Sequence, residues 1–190
     1  MTALATAPLS LEGRLAAKAA AGDPLAFRRL YDRHVGSVRR FARAILRDAP
    51  AADEATQETF VRAHAGLGKL AEPERLVPWL LTITRHVAFE ELRRRGAWRD
   101  GEDALEEAPS PAPSPEAALL GAEADAAYQR ALDELAAPRR AALLLAIDHG
   151  LAYAEIADAM AWSLAKTKIE IHRARAALRA RLGEHLRGRA

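Results

Sequence analysis

Residues 151–182 read LAYAEIADAMAWSLAKTKIEIHRARAALRARL: a short apolar segment, a break at Ala161-Trp162-Ser163, then a long basic segment. In the second part Thr167, Ile171, Ala174, Leu178 and Leu182 recur at helical spacing, and Ser163 is a good N-cap residue. No Gly or Pro interrupts the run before Gly183. The other face carries Lys166, Ile169, Glu170, Arg173 and Ala177. Short helix, tight turn and longer basic helix form the pattern of a helix-turn-helix, whose second helix enters a DNA major groove. Two local signals are missing. Ala161 stands where a turn Gly is expected, and Ala152 replaces the Ser or Thr that would complete a capping box with Glu155.

Upstream, PEAALLGAEADAAYQRALDEL and PRRAALLLAIDHG read as two further helices, the second closed by Gly150. Before them APSPAPSPEAA, residues 108–118, alternates Pro with small residues and follows an acidic run. Such a stretch supports neither helix nor sheet and reads as an extended linker. The N-terminal half is helical again. Asp23-Pro24 gives a cap followed by Pro at the first helical position. Phe27, Leu30, Tyr31, His34, Val38, Phe41 and Ile45 then follow at helical spacing. After a break at RDAPAAD, a second helix is expected over DEATQETFVRAHAGL with Asp53 near its cap. A loop around GKLAEPERL and a third helix, VPWLLTITRHVAFEELRRRG ending at Gly96, complete the half.

The fold class expected is therefore all-α: two small helical domains joined by an acidic, Pro-rich linker, the second containing the helix-turn-helix. The expected divisions are an N-terminal extension (1–19), a first domain (20–97), the linker (98–121) and a second domain (122–187). Low aromatic content, 5%, and abundant Ala and Leu agree with packed helices.

Net charge is only +2, but it is unevenly placed. Residues 166–190 hold eight Lys and Arg against two Glu, whereas residues 98–125 hold one Arg against eight acids. A basic end points to a polyanionic partner. The absence of cysteine excludes disulfides and thiolate metal sites and fits a reducing cytoplasm. No signal peptide and no run of about 18 apolar residues is present, so membrane insertion is not expected. Enzyme readings find little support. The six His form no H-E-x-x-H set, there is no Gly-rich phosphate loop, and Asp148-His149 sits at an expected helix end, where capping explains it better than acid/base chemistry. No cofactor is expected.

QETFVRAHAGL, PWLLTITRHVAFEELRRRG and, after a linker, the helix-turn-helix segment resemble in order the signatures of bacterial sigma factors of the small, two-domain extracytoplasmic function group. That resemblance implies a protein that binds core RNA polymerase and directs it to promoter DNA, monomeric when free and open to control by an anti-sigma factor. It implies that 20–97 is region 2 and 122–187 is region 4. The polymerase-docking residues it implies are Glu54, Gln57, Glu58 and Phe60. Phe60 is either an exposed anchor or part of the core, and Ala55 and Thr56 stand where relatives carry larger apolar residues. For the minus-ten element it implies Lys69, Arg75, Arg85, His86, Arg93, Arg94 and Arg95, with His86 where Asn is common and Trp79 as a core residue or stacking platform. For the minus-thirty-five element it implies Lys166, Lys168, Ile169, Glu170, Arg173 and Arg175. Ile169 and Glu170 replace a more usual Ser and Arg. Ile packs on a thymine methyl and Glu accepts from a cytosine amino group. Alternatively, Glu170 pairs with Lys166 one turn back and reads nothing. A stand-alone helix-turn-helix regulator, binding paired half-sites without polymerase, is the competing reading.

Overall fold

The computed structural model describes residues 9–97 and 122–187. The linker at 98–121 lies outside the described residues, as do residues 1–8 and 188–190. The described residues form eight α-helices: α1 (Leu11–Ala20), α2 (Pro24–Leu46), α3 (Ala49–Gly66), α4 (Leu76–Arg94), α5 (Ala122–Asp133), α6 (Ala137–Ile147), α7 (Tyr153–Met160) and α8 (Leu164–Arg187). Two 3-10 turns, Leu67–Lys69 and Pro73–Arg75, occupy the loop before α4.

The caps follow from local chemistry. The Asp23 carboxylate accepts from the N–H groups of Leu25 and Ala26, with Pro24 at the first position of α2. Gly96, at φ +65°, ends the chain reversal after α4, and Gly150, at φ +62°, does the same after α6. Two expectations are corrected. The stretch assigned to an N-terminal extension contains α1, which buries Ala16 against Leu30, Leu67 and Leu76. Ser10 caps it and Glu74 accepts from both the Ser10 N–H and hydroxyl, each at 2.6 Å. Further, α3 starts at Ala49 with Asp48 as its cap, not near Asp53; Arg47 makes the reversal in a left-handed conformation. Asp53 instead pairs with Arg39 of α2.

In the second domain the helix-turn-helix is present. Ser163 accepts from the Lys166 N–H at 3.1 Å, and Thr167, Ile171, Ala174 and Leu178 are buried, as their spacing requires. Glu155 accepts from the Ala152 N–H at 2.8 Å, which is half of a capping box; the Ala152 methyl cannot return the bond. Ala161 takes φ 54° and ψ 41°, the left-handed conformation that a turn Gly would adopt without strain.

The two domains are packed on each other. A single apolar cluster joins Phe41 and Ile45 of α2 and Leu81 and Leu92 of α4 to Leu143, Leu145, Ile156 and Ile171 of the second domain. Helix α6 lies on α2 and α7 lies on α4.

Candidate nucleic-acid interface

Helix α3 presents one exposed strip and one buried strip. Ala55, Thr56, Thr59, Phe60 and Ala63 face inward. The small buried residues are well accommodated, since the hydroxyls of Thr56 and Thr59 donate to the carbonyls of Ala52 and Ala55 at 2.6 and 2.7 Å. Phe60 is 7% exposed, packs with Val38, Ala63 and Leu80, and stacks edge-on with Tyr31 at 4.7 Å. Of the two readings left open for Phe60, exposed anchor or core, the structure supports the second: the ring belongs to the core. Glu54 and Gln57 are exposed and Glu58 is partly so. Val61, 63% exposed, completes that strip and was missed by the sequence reading. Its position four residues after Gln57 and three after Glu58 was the available signal. Beside the strip, Arg62 donates to Glu58 at 2.7 Å and forks onto Glu90 at 3.1 and 2.8 Å. These two carboxylates push the Arg62 pKa up, and the hydrogen bond from Arg62 holds Glu90 below the usual carboxylate range. A groove of about 350 Å³ between α3 and α4, lined by Glu54, Glu58, Arg62, Val87, Glu90 and Glu91, runs along it.

The residues expected at the minus-ten element divide into three groups. Lys69, His86 and Arg93 are exposed. His86 is nonetheless held below the ordinary histidine value, first by partial desolvation and then by nearby Arg85. Arg94 and Arg95 are drawn back onto the protein. Both donate to Glu91, and Arg95 reaches Asp48 at 3.0 Å, tying the end of α4 to the start of α3. Arg75 and Arg85 point at the second domain. Arg75 donates to Asp158 of α7 at 3.1 Å, and Arg85 lies 3.4 Å from the carbonyl of Met160 and 5.7 Å over the Phe89 ring. The Arg85 Nε is buried without a hydrogen-bond partner, and burial, with Arg93 adding to it, pushes its pKa down to about 10. Trp79 is half-buried, packing on the clusters around Leu30 and Phe60, and also lines the cleft that Arg75, Glu155 and Asp158 share.

On α8 the expected DNA face is rotated. At 100° per residue, Ile169 lies about 170° from the middle of the buried stripe, but Glu170 lies only about 70° from it. Ile169 is 50% exposed. The Glu170 side chain is 14% exposed and accepts from Arg139 of α6 at 2.7 Å and from Arg173 at 3.2 Å. Of the two readings left open for Glu170, base contact or side-chain pairing, the geometry favours pairing: its carboxylate faces α6, and its partners include Arg139, which the sequence reading did not consider. Arg175 is also partly withdrawn, 3.4 Å from the Tyr153 hydroxyl, while Lys166 lies 4.9 Å over the Trp162 ring. Ala165, Lys168, Ile169 and His172 are all exposed. His172 was missed; phasing the helix from its buried stripe would have found it.

Two family models match in the order of the two domains: Sigma-70 region 2 over residues 30–97 and Sigma-70, region 4 over residues 125–178. The ECF RNA polymerase sigma factor SigL of Mycobacterium tuberculosis is 31% identical over 174 residues, covering 87% of this chain and 94% of SigL. The chain belongs to the ECF group of the sigma-70 family. The probable RNA polymerase sigma factor RfaY of Xanthomonas campestris pv. campestris is 34% identical over 165 residues, 85% of this chain. This ECF chain spans only about two fifths of the length of that relative, 41%. Among solved structures, CnrH in complex with the cytosolic domain of CnrY superposes with a TM-score of 0.68 at 26% identity, covering 92% of this chain and 99% of CnrH. The first domain is thus a region 2 and the second a region 4. Among the described residues no helix is long and apolar enough to cross a membrane, and no group of His, Asp or Glu is arranged to hold a metal ion.

Proposed function

We propose that this chain is an alternative sigma factor that binds core RNA polymerase and directs it to promoters. The observation that carries the reading is the ordered pair of a region 2 and a region 4 on one chain, each presenting an exposed face of the right chemistry. The strip Glu54, Gln57, Glu58 and Val61 offers acidic, amide and apolar groups to a helical partner, as helix-on-helix recognition requires. Lys69, His86 and Arg93, joined by Arg75 and Arg85 when region 4 moves away, supply cations and a ring for an opened minus-ten strand. Lys168, Ile169 and His172 lead α8 into the minus-thirty-five major groove, with Lys166 and Arg173 on its flank for phosphates. Region 4 alone reads duplex DNA without opening it, and region 2 supplies the opening. The protein acts through polymerase rather than through catalysis of its own, in the bacterial cytoplasm where polymerase works. A protein that covers both domains, in the role of an anti-sigma factor, is a compatible regulator.

The test is competition with a primary sigma factor for core polymerase, using the wild-type chain and a Gln57→Ala/Val61→Asp variant. Wild-type displacement of the competitor, weakened in the variant with folding intact, is the expected result. Failure of the folded wild-type chain to bind would leave a duplex-binding regulator as the better reading.

A further inference from the structure

The charge on one flank of α8 runs against what a DNA-facing helix calls for. A carboxylate on a helix that enters a DNA groove repels phosphate. Glu170 nonetheless stands at the middle of a three-residue set, accepting from Arg139 of α6 through Oε2 at 2.7 Å and from Arg173 through Oε1 at 3.2 Å. Arg173 lies about 130° from the middle of the buried stripe of α8, on the same side as Glu170. A long cationic side chain rooted that far out normally keeps its head in water. The Arg173 side chain is only 19% exposed, that of Arg139 25% and that of Glu170 14%. Glu170 thus draws Arg173 back along the flank of the helix and holds it there.

Arg139 is also out of place by local rules. It sits in the first turn of α6, where the helix dipole disfavours a cation. Its neighbour Arg140 is 3% exposed. Arg140 donates to the Leu135 carbonyl at 2.8 Å within the second domain, and to the Ala44 and Ile45 carbonyls of α2 at 2.5 and 3.0 Å. Those bonds fix the turn from which Arg139 reaches α8. Formal charge shows what Arg139 adds. Glu170 with Arg173 alone is a neutral pair, which gives a phosphate little reason to approach. With Arg139 the set is cationic. Each arginine gives Glu170 one N–H group of its fork and keeps the other donors.

We propose that Glu170, braced by Arg139, is a positioning residue that presets Arg173 for a backbone phosphate beside the minus-thirty-five groove. This role rests on the sigma reading above. An arginine fixed before DNA arrives loses less side-chain freedom on contact. The carboxylate therefore strengthens DNA binding, opposite in sign to the effect of its bare charge.

Holoenzyme reconstituted from core polymerase and the full chain first selects its upstream element from a pool of duplexes randomised over that element. Affinity for the selected duplex is then measured across a salt series. Arg173→Met is expected to weaken binding and to lower the salt slope by about 0.9, the share of one phosphate contact. Glu170→Gln is expected to weaken binding about threefold to tenfold, the range that ordering one long side chain commands. Arg139→Met is expected to shift affinity in the same direction. The double variant Arg173→Met with Glu170→Gln is expected to bind no worse than Arg173→Met alone, since both changes remove the same contact. A general loss of fold would add to the Arg173→Met loss instead of vanishing into it. The cost of each single base-pair change across the selected element should be the same in wild type and Glu170→Gln. Tighter binding by Glu170→Gln overturns the proposal, because the carboxylate then acts as plain repulsion. So do additive losses in the double variant, unchanged binding by Arg139→Met, or a preference relaxed at one base pair. A wild-type chain that forms no holoenzyme sinks the sigma reading and this role with it, a failure distinct from a holoenzyme that forms and binds tighter without the Glu170 charge.

Discussion

The side of α4 that faces the second domain and the outer face of α8 both carry basic residues, yet one is covered and the other is open. Arg75 and Arg85 meet the chain's own α7 segment, at Asp158 and the Met160 carbonyl. Lys168 and Ile169 meet solvent. The difference teaches that basic residues report what a surface is for, whereas packing phase and domain docking decide whether it is available. On α8 the same lesson operates within one helix, where Ile169 points outward and its neighbour Glu170 is held by Arg139.

The largest way to break the comparison is to dismantle the covered side. Phe60→Ala removes a ring packed with Val38, Ala63 and Leu80 and is expected to cost about 3–5 kcal/mol, read by urea or thermal unfolding. An exposed anchor would change stability by less than about 0.5 kcal/mol while abolishing polymerase binding. Next, Arg140→Met leaves buried carbonyls unsatisfied on both sides of the domain interface and is expected to cost about 2–3 kcal/mol. If the domains do not dock in solution, that loss is confined to the Leu135 side and the unfolding midpoint moves much less.

On the open side, Ile169→Ala is expected to cost about 1 kcal/mol of discrimination at a single minus-thirty-five position, measured by promoter mutagenesis in transcription assays. Glu170→Ala should alter stability and Arg173 placement without relaxing any one base. Ala161→Gly sharpens the picture from below. It relieves a left-handed Ala at the turn that sets α8 against α7 and is expected to stabilise the fold by about 0.5–1 kcal/mol with promoter choice unchanged.

Most of the fold was legible because its signals are local. Asp23-Pro24, Gly96, Gly150 and Ser163 fix helix ends through caps or φ values that few other residues supply. The buried stripe of α8 followed from its period alone. The first helix was not legible, since LEGRLAAKAA is only ten residues long and its docking depends on Glu74, more than sixty residues away in sequence. The start of α3 was missed because Pro50 reads as a breaker when it is in fact tolerated in a first turn. Among candidate site residues, Lys69, Lys168 and Ile169 stayed exposed because helix phase or a loop put them there. Arg75, Arg85, Arg94, Arg95 and Glu170 each met a partner from a distant segment or a neighbouring turn. Residue type shows that such a group wants a partner; it does not show which partner it finds.

The smallest effect expected is a pH dependence centred on His149, which lies at the domain interface against Ser37 and Phe41. Burial holds its pKa below the ordinary histidine value; Arg40 of α2 works in the same direction, and Asp148 opposes it. A histidine with a depressed pKa binds fewer protons in the docked state than when exposed. Its contribution to docking is therefore complete above the ordinary value near 6.5, falls as pH drops toward the depressed value, and changes no further below it. The carboxylates held low by their partners, such as Asp48 and Glu91, titrate in a lower window and do not contribute between pH 5.5 and 7.5. His86 is depressed as well, but it sits on the exposed side of α4. The wild-type chain should thus lose stability on going from pH 7.5 to 5.5, read by urea unfolding at the two pH values. His149→Gln should reduce that loss. A loss of the same size in His149→Gln would place the titrating group elsewhere and break the link between this histidine and the covered surface.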